Sequence, residues 1–157
     1  MAKLTRAQYV DFVERSYFRN VGREDFTAVT ACFTNDACIT IFHGDNPVRR
    51  FYRKPQQDQQ PLITFYGHLW ENYHVVFENF RHIVDAENEC CASTFHPLLT
   101  PKPTSSHLTA GKLTLNNCNF FWFRDGRIAD MIIYYANPTP DSTVGVAATP
   151  LSEFRKI

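Results

Sequence analysis

Apolar residues recur at helical spacing in the first third of the chain and at alternating or continuous strand spacing after it. Tyr9, Phe12, Val13 and Tyr17 fall on one stripe between Thr5 and Asn20, with the Thr5 hydroxyl available as a cap and Gly22 as a break. A second short helix is predicted over Asp25 to Phe33, with Phe26, Val29 and Phe33 on its apolar side. Asn35-Asp36 then turns into a strand from Ala37 to His43, rich in β-branched and aromatic residues. Gly44 to Gln60 is polar, with prolines, arginines and glutamines, and reads as a loop. A third helix follows from about Pro61, acceptable as an early helical position, to Tyr73.

Beyond that helix the period changes. Phe77 to Asp85, Cys90 to Leu99, Lys112 to Arg124 and Arg127 to Asn137 each read as strands. Asp125-Gly126 is a strong hairpin signal between the last two, and Ala86 to Glu89 reads as another tight connection. Thr100 to Gly111 is a longer loop, and the Pro/Thr/Ser/Ala-rich tail after Pro138 is expected to lie loosely on the surface. Helices gathered before a run of antiparallel strands indicate an α+β domain over residues 1–140, followed by a tail over 141–157. A strongly bent sheet would leave a cavity between itself and the helices, and function should be sought there.

Composition narrows the class. The 157 residues suit one core, and 44% hydrophobic with 20% charged residues is ordinary for a globular protein. The 14 Phe, with 7 Tyr and 2 Trp, supply enough rings to fill a core, line a pocket or cover an interface. Sixteen basic residues balance sixteen acidic ones, so no field argues for nucleic acid or an anionic membrane. The amino-terminal stretch carries charges through its apolar positions, unlike a signal peptide or a membrane span. Five cysteines with no paired CxxC spacing read as buried thiols of a reducing compartment, which points to the cytoplasm.

The phrases FTNDACITIF after two helices and DGRIADMIIYYANP at the domain's close resemble the nuclear transport factor two-like superfamily, over about Tyr9 to Asn137. That superfamily includes ketosteroid isomerases, SnoaL-like polyketide cyclases, limonene epoxide hydrolase and scytalone dehydratase. The resemblance implies a cone, a curved antiparallel sheet wrapped around three helices, paired as a homodimer through the sheet's outer face. It also implies a polar pocket residue on the penultimate strand, which in NCNFFWFRDG is Asn119. Scytalone dehydratase gives the nearest local echo, and its two catalytic histidines are similar in setting to His82 in NFRHIVDA and His96 in STFHP. Two features depart from these relatives. The dehydratase's tyrosine–aspartate pair meets Arg19-Asn20-Val21-Gly22, and the general base of ketosteroid isomerase falls near Ile41.

Strand alternation tests this independently. Asn117, Asn119, Phe121 and Phe123 share one face, while Cys118, Phe120 and Trp122 share the other. With Asn119 inward, Met131, Ile133, Tyr135 and Asn137 also face the cavity. Phe120 and Trp122 then form an outer apolar patch that a dimer would bury. A turn centred near Asn88 makes His82 and His96 diagonal neighbours on one face. Two imidazoles and an amide in an apolar cavity suit proton transfer: the histidines as acid and base, Asn119 donating to a developing enolate. His43 is either at the pocket mouth or a solvated strand end, and Tyr66 and Trp70 are core or pocket wall. His68, His74 and His107 read as surface groups, and Asp130 has outward parity. The Arg49-Arg50-Arg53-Lys54 cluster reads as a solvated loop or a lid.

No metal-ligand spacing and no glycine-rich nucleotide fingerprint occurs, so neither metal nor cofactor is expected. The expected activity is a cofactor-independent dehydratase, cyclase or isomerase acting on a hydrophobic oxygenated molecule of the polyketide or terpenoid kind. Epoxide opening by water is a rival that needs a cavity carboxylate pair. A non-catalytic ligand-binding or protein-interaction module on the same fold is another.

Overall fold

The computed structural model describes residues 3–136. The tail expected on the surface, and Asn137, lie outside these residues. Helix α1 covers residues 6–22 and starts at a capping box, in which Thr5 accepts from the Gln8 amide and the Gln8 side chain accepts from the Thr5 amide. Its middle, Phe12–Phe18, is π-helical. The widened turn lets Val13, Tyr17 and Phe18 all be buried together, so Phe18 joins the stripe read from the sequence. Helix α2 is Phe26–Ala31, capped by Asp25, and α3 is Leu62–Asn72.

The strands are β1 Phe33–Phe42, β2 Arg49–Tyr52, β3 Gln60–Pro61, β4 Tyr73–Asp85, β5 Cys90–Pro101, β6 Leu113–Thr114, β7 Asn116–Arg124 and β8 Arg127–Ala136. They form one eight-stranded sheet in the order β3-β2-β1-β8-β7-β5-β4, with β6 paired to β5. This is the expected α+β cone, with antiparallel hairpins apart from a parallel β1–β8 pair and a short parallel β2–β3 pair. Boundaries differ from the sequence reading: Phe33 opens β1 instead of closing the second helix, and β4 begins at Tyr73 rather than Phe77. The Asn35-Asp36 turn is instead an irregularity inside β1, where Asp36 is ion-paired to Arg124. The polar loop contains β2, anchored by pairing with β1. The long Lys112–Arg124 strand is broken into β6 and β7.

Register sorts the sheet's inner face into rows. A deep row runs Val84, Cys91, Phe121, Met131, Ile39, Phe51. The next runs His82, Ser93, Asn119, Ile133, Ile41, Arg49. Nearer the open end lie Phe95, Asn117 and Tyr135. Helix α1 covers the deep row through Tyr17, whose ring centroid lies 5.8 Å from that of Phe121, while nearer the open end Phe18 packs on Phe95, Phe77 and Phe80 with centroids at 4.4, 4.7 and 5.2 Å. Phe121 and Met131, expected in the pocket wall, are fully buried in this core and do not border the cavity. The outer face carries Phe120, Trp122 and Tyr134 in a half-exposed aromatic patch, as alternation requires.

The β7–β8 hairpin turns through Asp125 and Gly126, with φ 53° and 70°. Positive φ at both central positions is the turn whose twist matches the flanking strands. A Cβ at Gly126 would meet no atom within 4 Å. Gly126→Ala is therefore expected to destabilise through backbone strain alone, by about 1 kcal/mol in urea unfolding, with an unchanged m-value.

Candidate functional site

The cone's open end holds a cavity of about 450 Å³, within the size range of small-molecule sites. Most of its wall is apolar: Phe18, Phe51, Phe65, Phe77, Phe95 and several aliphatic residues. Polar groups enter at two levels. Deep in the cone are Tyr17 from α1, Tyr66 from α3, and Asn119 from β7. Towards the mouth are Asn117, Tyr135, Arg49, Thr64, His68 and Tyr73.

Tyr17 Oη and Tyr66 Oη lie 2.9 Å apart and are buried. One phenol donates to the other, which leaves one hydroxyl hydrogen for a further acceptor. Burial pushes the Tyr17 phenol up from its ordinary value, against a smaller opposing effect of the bond to Tyr66. Burial also raises Tyr66, reinforced by the Tyr17 charge and by the hydrogen bond. Both are neutral donors at physiological pH. Tyr66 is backed by Trp70, stacked at 5.3 Å, whose indole N–H donates to the Val21 carbonyl at 2.9 Å. Trp70 thus faces the α1–α3 contact and supports the wall from behind; it does not border the cavity.

Asn119 is 2% exposed, and among the described residues its side-chain N–H meets only the Met131 sulfur, at 3.9 Å. The side-chain oxygens of Asn117 and Asn119 are buried with no hydrogen-bond partner among the described residues. A buried amide without partners costs stability, and such groups in a cavity are available to a ligand.

The two histidines expected beside Asn119 part company. The β4–β5 turn pairs Asp85 with Cys90, which centres it between Glu87 and Asn88. That half-residue shift sets His82 opposite Ser93 and gives His96 the opposite parity. His96 lies on the outer side, near Asn79, whose φ of 58° marks the bulge between Glu78 and Arg81. It borders an open outer groove with Arg81, Asn116 and Tyr134. His82 faces inward but is fully engaged. Its Nδ1 is 2.7 Å from Ser93 Oγ, its Nε2 is 2.8 Å from Glu14 Oε1, and its ring stacks on Phe80. The link pins the π-turn of α1 to the sheet, and His82 does not border the cavity. It shares a row with Asn119, with Ser93 between them.

His43 caps the rim, its ring stacked on Tyr135 at 4.1 Å with 14° between planes, and it is not itself part of the wall. Ile133, Tyr135, Asn117 and Tyr66 line the cavity as the sequence suggested. Tyr17, His68 and Arg49 line it as well. The sequence placed them on the apolar stripe of the first helix, at the surface and in a loop. Asp130 lies on the outer face opposite Trp122, and burial raises its carboxyl. No carboxylate borders the cavity among the described residues. All five cysteines are free thiols, and burial pushes Cys32 up to about 11.

No protein-family model and no curated protein sequence matches this chain. Solved structures do. PrhC from Penicillium brasilianum superposes with a TM-score of 0.68 at 11% identity, over 84% of this chain and 82% of that one. A nuclear transport factor two-like protein from Burkholderia xenovorans superposes at 0.59, with 14% identity over 86% and 92%. SalBIII, an epoxide hydrolase/cyclase-like enzyme of pyran ring formation in the polyether salinomycin, superposes at 0.59, with 18% identity over 84% and 94%. The fold is that of the nuclear transport factor two-like superfamily.

Two measurements check this geometry. His82→Leu leaves the buried Ser93 hydroxyl with the weak Cys91 thiol contact at 3.6 Å in place of the imidazole, so urea unfolding is expected to show a loss of roughly 1–3 kcal/mol. Part of that should return in the His82→Leu/Ser93→Ala double variant. The tyrosine pair gives the second. Below the ordinary phenol value of 10.0 both folded and unfolded chains keep these protons. Above it the unfolded chain loses them first, so stability falls as pH rises. Absorbance titration of the wild type minus a Tyr17→Phe/Tyr66→Phe variant should show their ionisation only well above pH 10.

Proposed function

We propose that this protein is a cofactor-independent acid–base enzyme, a dehydratase, cyclase or isomerase, acting on a hydrophobic oxygenated small molecule such as a polyketide or terpenoid intermediate. The observation that carries this reading is the buried, hydrogen-bonded Tyr17–Tyr66 pair on the wall of a mostly apolar cavity that Asn119 also lines. A substrate carbonyl seated there would accept from the free phenol hydrogen and the Asn119 amide. Both interactions strengthen as negative charge develops on that oxygen. The raised phenol values suit donors that stabilise an enolate while keeping their own protons. His68 is the one imidazole on the wall among the described residues, and takes the role of proton acceptor from the carbon beside the carbonyl. His82, bonded to Glu14 and Ser93, serves in this reading to hold α1 over the pocket, while His96 stays outside the reaction.

The named activities of neighbours such as SalBIII, in polyether ring formation, are compatible with this class of substrate. Epoxide hydrolysis is less favoured, because no carboxylate borders the cavity among the described residues. The same cytoplasmic, homodimeric assembly expected from the sequence is part of the proposal. Support comes from the free thiols and from the patch of Phe120, Trp122 and Tyr134 on the outer sheet. A binding module without chemistry is the second reading, favoured by one observation: His68 is exposed at the mouth, so the deep wall holds donors but no base among the described residues.

Exchange of solvent deuterium into 2-decanone, followed by NMR, separates the two. The enzyme reading expects acceleration over buffer, reduced about 10²–10³-fold in Tyr66→Phe and also reduced in His68→Gln. Binding without acceleration would leave the module as the function.

A further inference from the structure

Charge enters this cavity at one end only. β2 pairs with β1 so that Arg49 lies opposite Ile41, Arg50 opposite Thr40, and Phe51 opposite Ile39. Ile39 and Ile41 face the core, so alternation turns Arg49 and Phe51 inward and Arg50 away. Arg49 borders the cavity and Arg50 does not. Its guanidinium donates to Tyr135 Oη at 3.0 Å, and Tyr135 is braced from behind by the stacked His43 ring. Arg49 forms no ion pair with a described carboxylate, and no Asp or Glu borders the cavity among the described residues. Among the described residues, a positioned cation thus stands at the rim of a mostly apolar chamber without a counter-charge.

Its place relative to the deep donors is fixed by register. Asn119 lies opposite Ile133, Ile133 opposite Ile41, and Ile41 opposite Arg49. The amide and the guanidinium therefore terminate a stretch of one row, with two isoleucines as apolar floor between them. Three interstrand steps separate their backbones by roughly 14 Å along the sheet, less where the sheet curves. A ligand reaching both must carry an oxygen function at one end, an apolar body, and at the other end a group that a guanidinium recognises. The planar fork of donors matches a carboxylate.

We propose, resting on the reading of this cavity as a small-molecule site, that its ligand is a hydrophobic carboxylic acid. The anion is held by Arg49 at the rim, while its remote carbonyl or hydroxyl meets Tyr17, Tyr66 and Asn119. Arg49 is then the specificity determinant for the acid over its ester, and Tyr135 is the residue that positions it.

Calorimetric titration with 9-oxodecanoic acid, its methyl ester and 2-decanone tests this in the wild type, Arg49→Gln and Arg50→Gln. The acid is expected to bind wild type about tenfold more tightly than the ester, with the gap narrowing as salt is raised. Arg49→Gln should abolish the gap yet keep 2-decanone binding, and Arg50→Gln should preserve it. Equal binding of acid and ester by wild type, or a preference surviving in Arg49→Gln, overturns the proposal. If 2-decanone still binds in that case, the cavity reading stands. Failure of all three probes to bind overturns both.

Discussion

Two phenols buried in an apolar chamber must find hydrogen-bond partners, and here they find each other. Tyr17 comes from the π-turn of α1 and Tyr66 from the middle of α3, so their bond, with the Trp70–Val21 bond, fixes the spacing of the two helices. Everything around the pair keeps it in place. Trp70 stacks behind Tyr66 and ties it to Val21 at the end of α1, and Glu14 reaches the sheet through His82 and Ser93. The helices are thereby held off the sheet's mouth while packing closely over its deep row. A dry core and an open cavity coexist in one cone because polar contacts set the gap that aromatic packing would otherwise close.

Much of the architecture was legible in the chain. Helices before strands, the Asp125-Gly126 hairpin and the inward parity of Asn119, Ile133 and Tyr135 all follow from periods of 3.6 and 2, which depend only on local geometry. The outer aromatic patch followed from the same alternation. Where the reading needed a count across a turn, it failed. Placing the β4–β5 turn half a residue late exchanged the face of His96, and no side-chain pattern on β4 announces the bulge at Asn79.

The site's other surprises have a common origin. Tyr17 carries the apolar stripe of α1, so hydrophobicity alone cannot tell a core ring from a cavity donor; only Tyr66, 49 residues away, reveals the hydroxyl's task. Ser93 is small, fully buried and silent in sequence until His82 lies opposite it. Arg49 looks like one charge among several in a polar loop, because β2 is too short to show alternation. Its inward direction is imposed by the partner strand.

The parallel pairing of β1 with β8 reaches beyond the finished fold to how it is made. Ile39 meets Met131 and Ile41 meets Ile133, contacts separated by on the order of ninety residues of chain. On the ribosome, β1 can complete its ladder only after β8 has been synthesised, so the sheet closes late, and its centre forms among the last contacts. Until then β1, with its buried Ile39 and Ile41, has one unpaired edge. The hairpin with β2, with its charged Arg49 and Arg50, covers the other edge during that wait. The arginine that faces the chamber thus belongs to a strand that shields the nascent chain from association before any chamber exists.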